Sequence, residues 1–280
     1  MMTSKWVSYG RCWRLALGGW LLAVGSANGQ EASPSPSSPL TAREVTTQVG
    51  VGSTNILDTY LSQEKFSGLG LSFLTTAELR KDGRLWATLK EHELNFASAD
   101  DRSGIREELQ GDYTFLLGRL RQWHLGAWCL QAGGMAAANI GVIYNTANSN
   151  NPAQGRFSLQ FMPTGAASYT FPLLHRRCRL RYELQLPLAG VMFSPNYGQS
   201  YYEIFSLGNY DHNVVPVTFI ATPNLRHQLS FDCPVSRYLT MRIGYLGHYQ
   251  QARVNNLKSH VYHHRVMIGV VRNFTITRTP

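Results

Sequence analysis

The chain has 280 residues, of which 44% are hydrophobic and 15% charged, enough for one large domain or two ordinary ones. Its formal net charge of +9 would suit a nucleic-acid binder, but the bases form no continuous patch and the N-terminus directs the chain out of the cytoplasm, which argues against that partner. Four cysteines, Cys12, Cys129, Cys178 and Cys233, fit neither a zinc spacing nor a disulfide framework, so the later three read as small apolar side chains on strands.

Lys5, Arg11 and Arg14 precede the apolar run LALGGWLLAVG from Leu15 to Gly25 and the small residues Ala27-Asn28-Gly29. This is the layout of a secretory signal peptide, residues 1–29, cut after Gly29. The apolar run is too short to span a bilayer as a helix, which needs roughly 20 residues. Cys12 lies among the bases and far from the cleavage site, which disfavours a lipoprotein. Residues 30–44, rich in Pro and Ser and without periodicity, are expected to form a periplasmic tail.

From Val45 the pattern is that of strands, expected near 45–54, 67–80, 84–97, 105–118, 123–139, 156–171, 178–191, 224–234, 238–253 and 259–275. Cys178 to Leu188 shows it best. Leu180, Tyr182, Leu184, Leu186 and Leu188 point one way, and Arg179, Arg181, Glu183 and Gln185 the other. The same alternation recurs at Leu109 to Leu117 and at Leu225 to Phe231. Basic turns are expected at Arg80 to Arg84, Gly118 to Gln122, Pro172 to Arg177 and Pro234 to Arg237. They alternate with longer segments almost free of bases, and no Lys or Arg lies between Arg121 and Arg156 or between Arg181 and Arg226. Short turns on one side and long loops on the other are the rhythm of an all-β, antiparallel, up-and-down transmembrane barrel over residues 45–275. Ten strands put both chain ends on the periplasmic side. The run VVPVTFI from Val214 to Ile220 would add strand above the membrane or raise the count to twelve. The final strand alternates from Tyr262 to an aromatic, Phe274, as a signal for the barrel assembly machinery would, although six residues follow it.

Two rivals use parts of the same pattern. Leu125 to Ile143 carries no charge over 19 residues and could be a single membrane helix, but Gln131, Asn139 and its glycines make it a poor one. A secreted β-sandwich shares the period-two strands, because alternation alone does not say whether the apolar face meets lipid or a core.

The loop FSPNYGQSYYEIFSLGNYDHN (Phe193 to Asn213), with YNTANSNNPAQ (Tyr144 to Gln154), VGSTNILDTYLS (Val51 to Ser62) and LKSHVYHH (Leu257 to His264), resembles a Bacteroidetes family catalogued as domain of unknown function 3316. The likeness covers most of Val45 to Phe274. It implies an outer-membrane barrel, and it implies no reaction, ligand or catalytic residue.

A ten-stranded barrel is too narrow for a general porin, since about eight strands leave a filled interior and 16 to 18 leave a channel. The inward parity of Glu108, Asp112, Arg179, Arg181, Glu183, Arg226, Asp232, Arg242 and His248 predicts a paired polar plug, because unpaired buried charge is strongly disfavoured. Within it, Arg179, Arg181 and Glu183 are candidate ligand contacts. So are Tyr197, Tyr201, Tyr202 and Tyr210 of the long loop, which with Phe193 and Phe205 could stack on a glycan or peptide or pack over the barrel mouth. Asn145, Asn148, Asn150 and Asn151 suit an exposed turn. A rim hydrolase would draw on Asp211, His212, His260 and His263, with Ser194, Ser200, Ser206 or Ser259 as nucleophile. His263 and His264 face opposite ways, so they do not share a metal easily; no metal or other cofactor is expected. Gly50-Val51-Gly52 has no helix after it and does not read as a nucleotide loop. The sequence thus favours a narrow or plugged barrel that binds or passes a small ligand, with a rim hydrolase or a surface-interaction barrel as alternatives; its expected partners are outer-membrane lipid and the assembly machinery.

Overall fold

A computed structural model describes residues 41–276 except 82, 150, 237 and 238, so the expected leader and most of the tail lie outside the described residues. In chain order the strands are β1 (Thr41–Asp58), β2 (Phe66–Lys81), β3 (Trp86–Asp100), β4 (Glu107–Leu125), β5 (Trp128–Asn145), β6 (Ala153–Leu173), β7 (Arg176–Gln185) and β8 (Ala189–Phe193). A one-turn helix, α1 (Tyr201–Phe205), follows, then β9 (Val214–Thr218), β10 (Leu225–Pro234), β11 (Thr240–Val254) and β12 (Leu257–Ile276). All pairings are antiparallel, and the order β5-β4-β3-β2-β1-β12-β11-β10-β7-β6 closes through β5–β6 into a barrel of ten strands. Closure leaves no edge in this ring, the condition for spanning a bilayer with strands.

The remaining two strands continue two members of the wall. Between the pairs Thr164↔Gln185 and Phe161↔Ala189, three residues, Leu186, Pro187 and Leu188, oppose two on β6. That is a β-bulge, centred on a proline that has no N–H to give the ladder. Beyond it β8 stands in for β7 beside β6, and β9 pairs with β8. The 178–191 strand is therefore broken, and Val214 to Thr218 forms wall with no change in the count of ten.

β9 passes to β10 through residues 219–224, which leave the ladder. At this level β11 has no strand partner on that side among the described residues. Three contacts bridge the seam: Arg253 N donates to Ala221 O (3.0 Å), Gln251 N to Asn224 Oδ1 (2.6 Å) and Gln251 Nε2 to Pro223 O (3.1 Å).

Two further boundaries differ from the sequence reading. β1 opens at Thr41, where residues expected in the tail pair with both β2 and β12. Gly118 to Gln122 lies inside β4, and the turn falls at Gly126, whose φ of 63° suits a two-residue hairpin with glycine first. Arg119 and Arg121 thus lie on strand, and Arg121 sits over the Trp123 ring at 5.4 Å. The other two-residue turns use left-handed pairs: Asn255-Asn256, a residue type that tolerates it, and Leu174-His175 (φ 47° and 62°), where the conformation is strained.

The outer face is a belt of exposed apolar side chains, among them Val51, Leu69, Phe73, Ile140, Phe161, Ile243, Val266 and Ile268. In water such a continuous surface would be an association hazard; against acyl chains it is the favourable arrangement. Trp86, Trp123, Trp128 and Tyr169 lie toward the end at which Thr41 pairs with Ile276, in the manner of an interfacial aromatic girdle. Two polar islands interrupt the belt: His92 with Tyr113, and His227 and His264 with Tyr245 and Tyr249.

Candidate functional site

The lumen is filled in two ways. Inward-facing apolar side chains form three clusters: Leu89, Leu116, Leu120, Met135, Ala137 and Met162; Leu74, Leu246 and Met267; and, toward the end opposite Thr41 and Ile276, here the outer end, Ile56, Leu61, Phe66, Ala99, Ile143 and Val261.

 Around and between them runs an ion-pair network. Arg226, fully buried, pairs with Glu91 (3.0 Å) and Glu93 (2.7 Å) and donates to Gln185 Oε1. Arg181 pairs with Glu183 (2.7 Å), and its other fork donates to Gln131 Oε1 (2.6 Å). Arg179 bridges Glu44 (2.5 Å) and Asp232 (2.7 Å), and Arg242 also reaches Asp232 (2.5 Å). The void among Glu44, Glu78, Glu91, Arg181, Glu183 and Arg242 measures ≈ 20 Å³, room for about one water.

The outer half is less complete. Two cavities, of ≈ 40 Å³ and ≈ 50 Å³, share Arg156 and Met192 in their linings, and both reach β11 beside the seam. Arg156 Nη2 donates to Gln250 Oε1 (2.7 Å), whereas its buried Nη1 has no hydrogen-bond partner. A polar chain ties it to the seal. With its oxygen facing Arg156, Gln250 presents Nε2 to His248 Nε2 (3.2 Å), and His248 Nδ1 then donates to Glu93 Oε1 (2.9 Å). Asp58 borders the first cavity, its Oδ1 accepting from Tyr60 N (3.0 Å).

The segment after β8 folds over this end. Ser200 caps α1 in a reciprocal capping box with Glu203, and the backbone N–H and hydroxyl of Ser200 hold the Glu203 carboxyl below the usual glutamate range. Tyr201 docks the helix on the wall: its hydroxyl donates to Gln154 Oε1 (2.9 Å) and accepts from Gly155 N (2.6 Å), while its ring stacks on Phe205 and meets Tyr60 edge-on. Asn255 Nδ2, in the β11–β12 turn, fastens the segment by donating to Ser194 O and His212 O.

All nine residues expected to face inward do so; among them Arg181 and Glu183 pair with each other, and Arg179 is held by Glu44 and Asp232. Of the loop aromatics, Phe193, Tyr201 and Phe205 pack together, whereas Tyr197, Tyr202 and Tyr210 are exposed. The hydrolase candidates are not brought together. Asp211 and His212 are exposed, with His212 Nδ1 2.5 Å from Asp211 Oδ1, His260 stacks on Tyr262, and His263 is buried in the lumen between Thr54, Arg265 and Asp112. Among the possible nucleophiles, Ser200 is a helix cap, Ser206 ends the same helix, Ser194 bonds backbone, and Ser259 borders the cavity. Asn145 donates to Glu108, Asn148 to Leu61 O, and Asn150 lies outside the described residues. Arg156 and Gln250 were not singled out by sequence. The signal for Arg156 is the parity of β6, in which Gln154, Arg156, Ser158 and Gln160 alternate with Phe157, Leu159 and Phe161.

The family described as "Protein of unknown function (DUF3316)" matches residues 21–279. No curated protein matches the chain. Among solved structures, the outer membrane protease OmpT from Escherichia coli is similar at 7% identity, with 88% of this chain and 99% of that one covered and a TM-score of 0.41. The transport unit of the autotransporter AIDA-I from Escherichia coli aligns at 6% identity over 89% and 94%, with a TM-score of 0.40. The translocator domain of the autotransporter NalP from Neisseria meningitidis aligns at 10% over 83% and 88%, with a TM-score of 0.37.

Proposed function

The chain belongs to the DUF3316 family of proteins of unknown function, and from that premise and the geometry of its lumen we propose an outer-membrane barrel that binds a small ligand at its outer end without passing it through. The observation that carries this reading is the contrast between two arginines of one lumen: Arg226, which lines one cavity, is paired with Glu91 and Glu93, whereas Arg156, which lines that cavity and a second one, has no carboxylate partner among the described residues. A closed barrel with an apolar outer face supports the outer-membrane location. In this reading the chain is exported through a leader cut after Gly29, inserted by the barrel assembly machinery, and held by outer-membrane lipid; the resemblance carries the expectation of a Bacteroidetes source. The separation of Asp211 and His212 from His260 and His263 gives the rim-hydrolase alternative no assembled site.

Mobility of the detergent-extracted protein on gels, boiled and unboiled, tests the membrane barrel. A heat-dependent shift in protein taken from the outer-membrane fraction is expected. Recovery in the soluble fraction with a single mobility would overturn the reading in favour of a secreted sandwich.

A further inference from the structure

Among the described residues, Arg179, Arg181, Arg226, Arg242 and Arg265 also lie inside the lumen, and each has its charge or its donors met. Arg179, Arg181, Arg226 and Arg242 face carboxylates within 3.0 Å. Arg265 has no carboxylate in contact, yet its three nitrogens reach Ser72 Oγ (3.0 Å), Ser53 O (2.5 Å) and Thr54 Oγ1 (2.7 Å). Arg156 has one bond, to Gln250. No carboxylate stands within ion-pair distance of it among the described residues; Asp58 borders the same cavity but is engaged by Tyr60 N. A guanidinium sheltered from water and left unpaired is strongly unfavourable, and water alone does not neutralise it. Its planar fork is shaped to take two oxygens of one anion.

We propose that Arg156 is the receiving group of an anion-binding site at the outer end of the lumen, and that its ligand presents a phosphate or carboxylate group. The inference rests on the reading of the outer end as a ligand site. The cavity of ≈ 50 Å³ gives room for a few water-sized groups, the extent of such a head and too little for a sugar or a peptide. The same cavity is lined by the polar side chains of Ser158, Thr222, Asn224 and Gln250 and by Arg226 and His248. Two routes lead there. A soluble oxyanion arrives between the loops. A lipid bearing the same head arrives from the side, through the seam between β9 and β11, where Phe219 and Ile220 stand exposed on the wall.

The test is titration calorimetry on the refolded full barrel in zwitterionic detergent, with inorganic phosphate, acetate and a phosphomonoester lipid in mixed micelles as probes. Binding of at least one probe to the wild type is expected, with a loss on the order of tenfold or more in Arg156→Met. Arg156→Lys should fall between them, since it keeps the charge and loses the fork. Asp58→Asn should bind more tightly, because it removes a carboxylate from the cavity wall. Binding of phosphate or acetate identifies a soluble source, and binding of the lipid alone identifies the lateral one. Absence of binding by all three probes, or equal binding in a folded Arg156→Met, overturns the proposal. A heat-dependent gel shift shows which variants are folded. A barrel that binds anions but also conducts would contradict the proposed sealing and leave this site standing.

Discussion

The two halves of this barrel share the same strands and solve the same problem of buried polarity differently. In the network of Arg179, Arg181, Arg226 and Arg242 every arginine meets a carboxylate, and the β7–β10–β11 ladders are continuous. Toward the outer end, the ladder breaks between β9 and β11, and Arg156 is left with a single glutamine. The comparison teaches that closure of the backbone and closure of the lumen are separate properties. A bulge at Leu186 to Leu188 shifts one strand by a residue, and beyond it both the hydrogen bonding and the side-chain pairing loosen.

The largest effect should come from treating one arginine of the network and Arg156 alike. Arg226→Met leaves Glu91 and Glu93 buried without their cation and should cost about 3–5 kcal/mol in the unfolding of the refolded barrel by denaturant. Arg156→Met removes a charge that has no counter-ion and should leave the stability of the ligand-free barrel unchanged or raised. Equal costs would erase the distinction between the halves.

Hydrogen exchange sharpens the same contrast at the backbone. The amides of Gln251 and Arg253 bond only to residues of the irregular segment 219–224, whereas Ile243, Tyr245 and Gly247 on the same edge of β11 face the β10 ladder. Exchange at Gln251 and Arg253 should be faster by a factor of about ten or more, a difference of one net hydrogen bond. Uniform protection along β11 would show that the seam is closed.

A smaller effect lies in the turn between β6 and β7. Replacing Leu174-His175 by Asn-Gly meets the left-handed conformation of both positions and should stabilise the inner end by about 1 kcal/mol. The smallest lies in α1. Because the Glu203 carboxyl is held below its ordinary range, its capping contribution is complete above about pH 4.3 and is lost as pH falls through the lowered value. Amides of α1 should therefore exchange faster in Glu203→Gln than in the wild type at pH 7, and the two should converge in acid.

How far the sequence reaches follows from the same physics. Period-two alternation is enforced at every residue of a wall with lipid on one side and a packed lumen on the other. Hence Arg179, Arg181, Glu183 and Arg226 could be placed inward from parity alone. Turn positions were less legible, because Arg119 and Arg121 lie on the strand and carry the basic signal away from Gly126. The bulge was invisible, since LQLPLAG alternates on both sides of a one-residue shift. The site was the least legible part: nothing local marks Arg156 as unpaired, because its lack of a partner depends on Asp58, Gln250 and Met192 from three other strands.

The most direct test of a lumen sealed in its inner half is single-channel recording of the refolded wild-type barrel in a planar bilayer, using a preparation that shows the heat-dependent gel shift. A flat baseline, without discrete conductance steps under applied voltage, is the expected result. Reproducible ohmic steps from the wild-type protein would contradict the seal formed around Arg226.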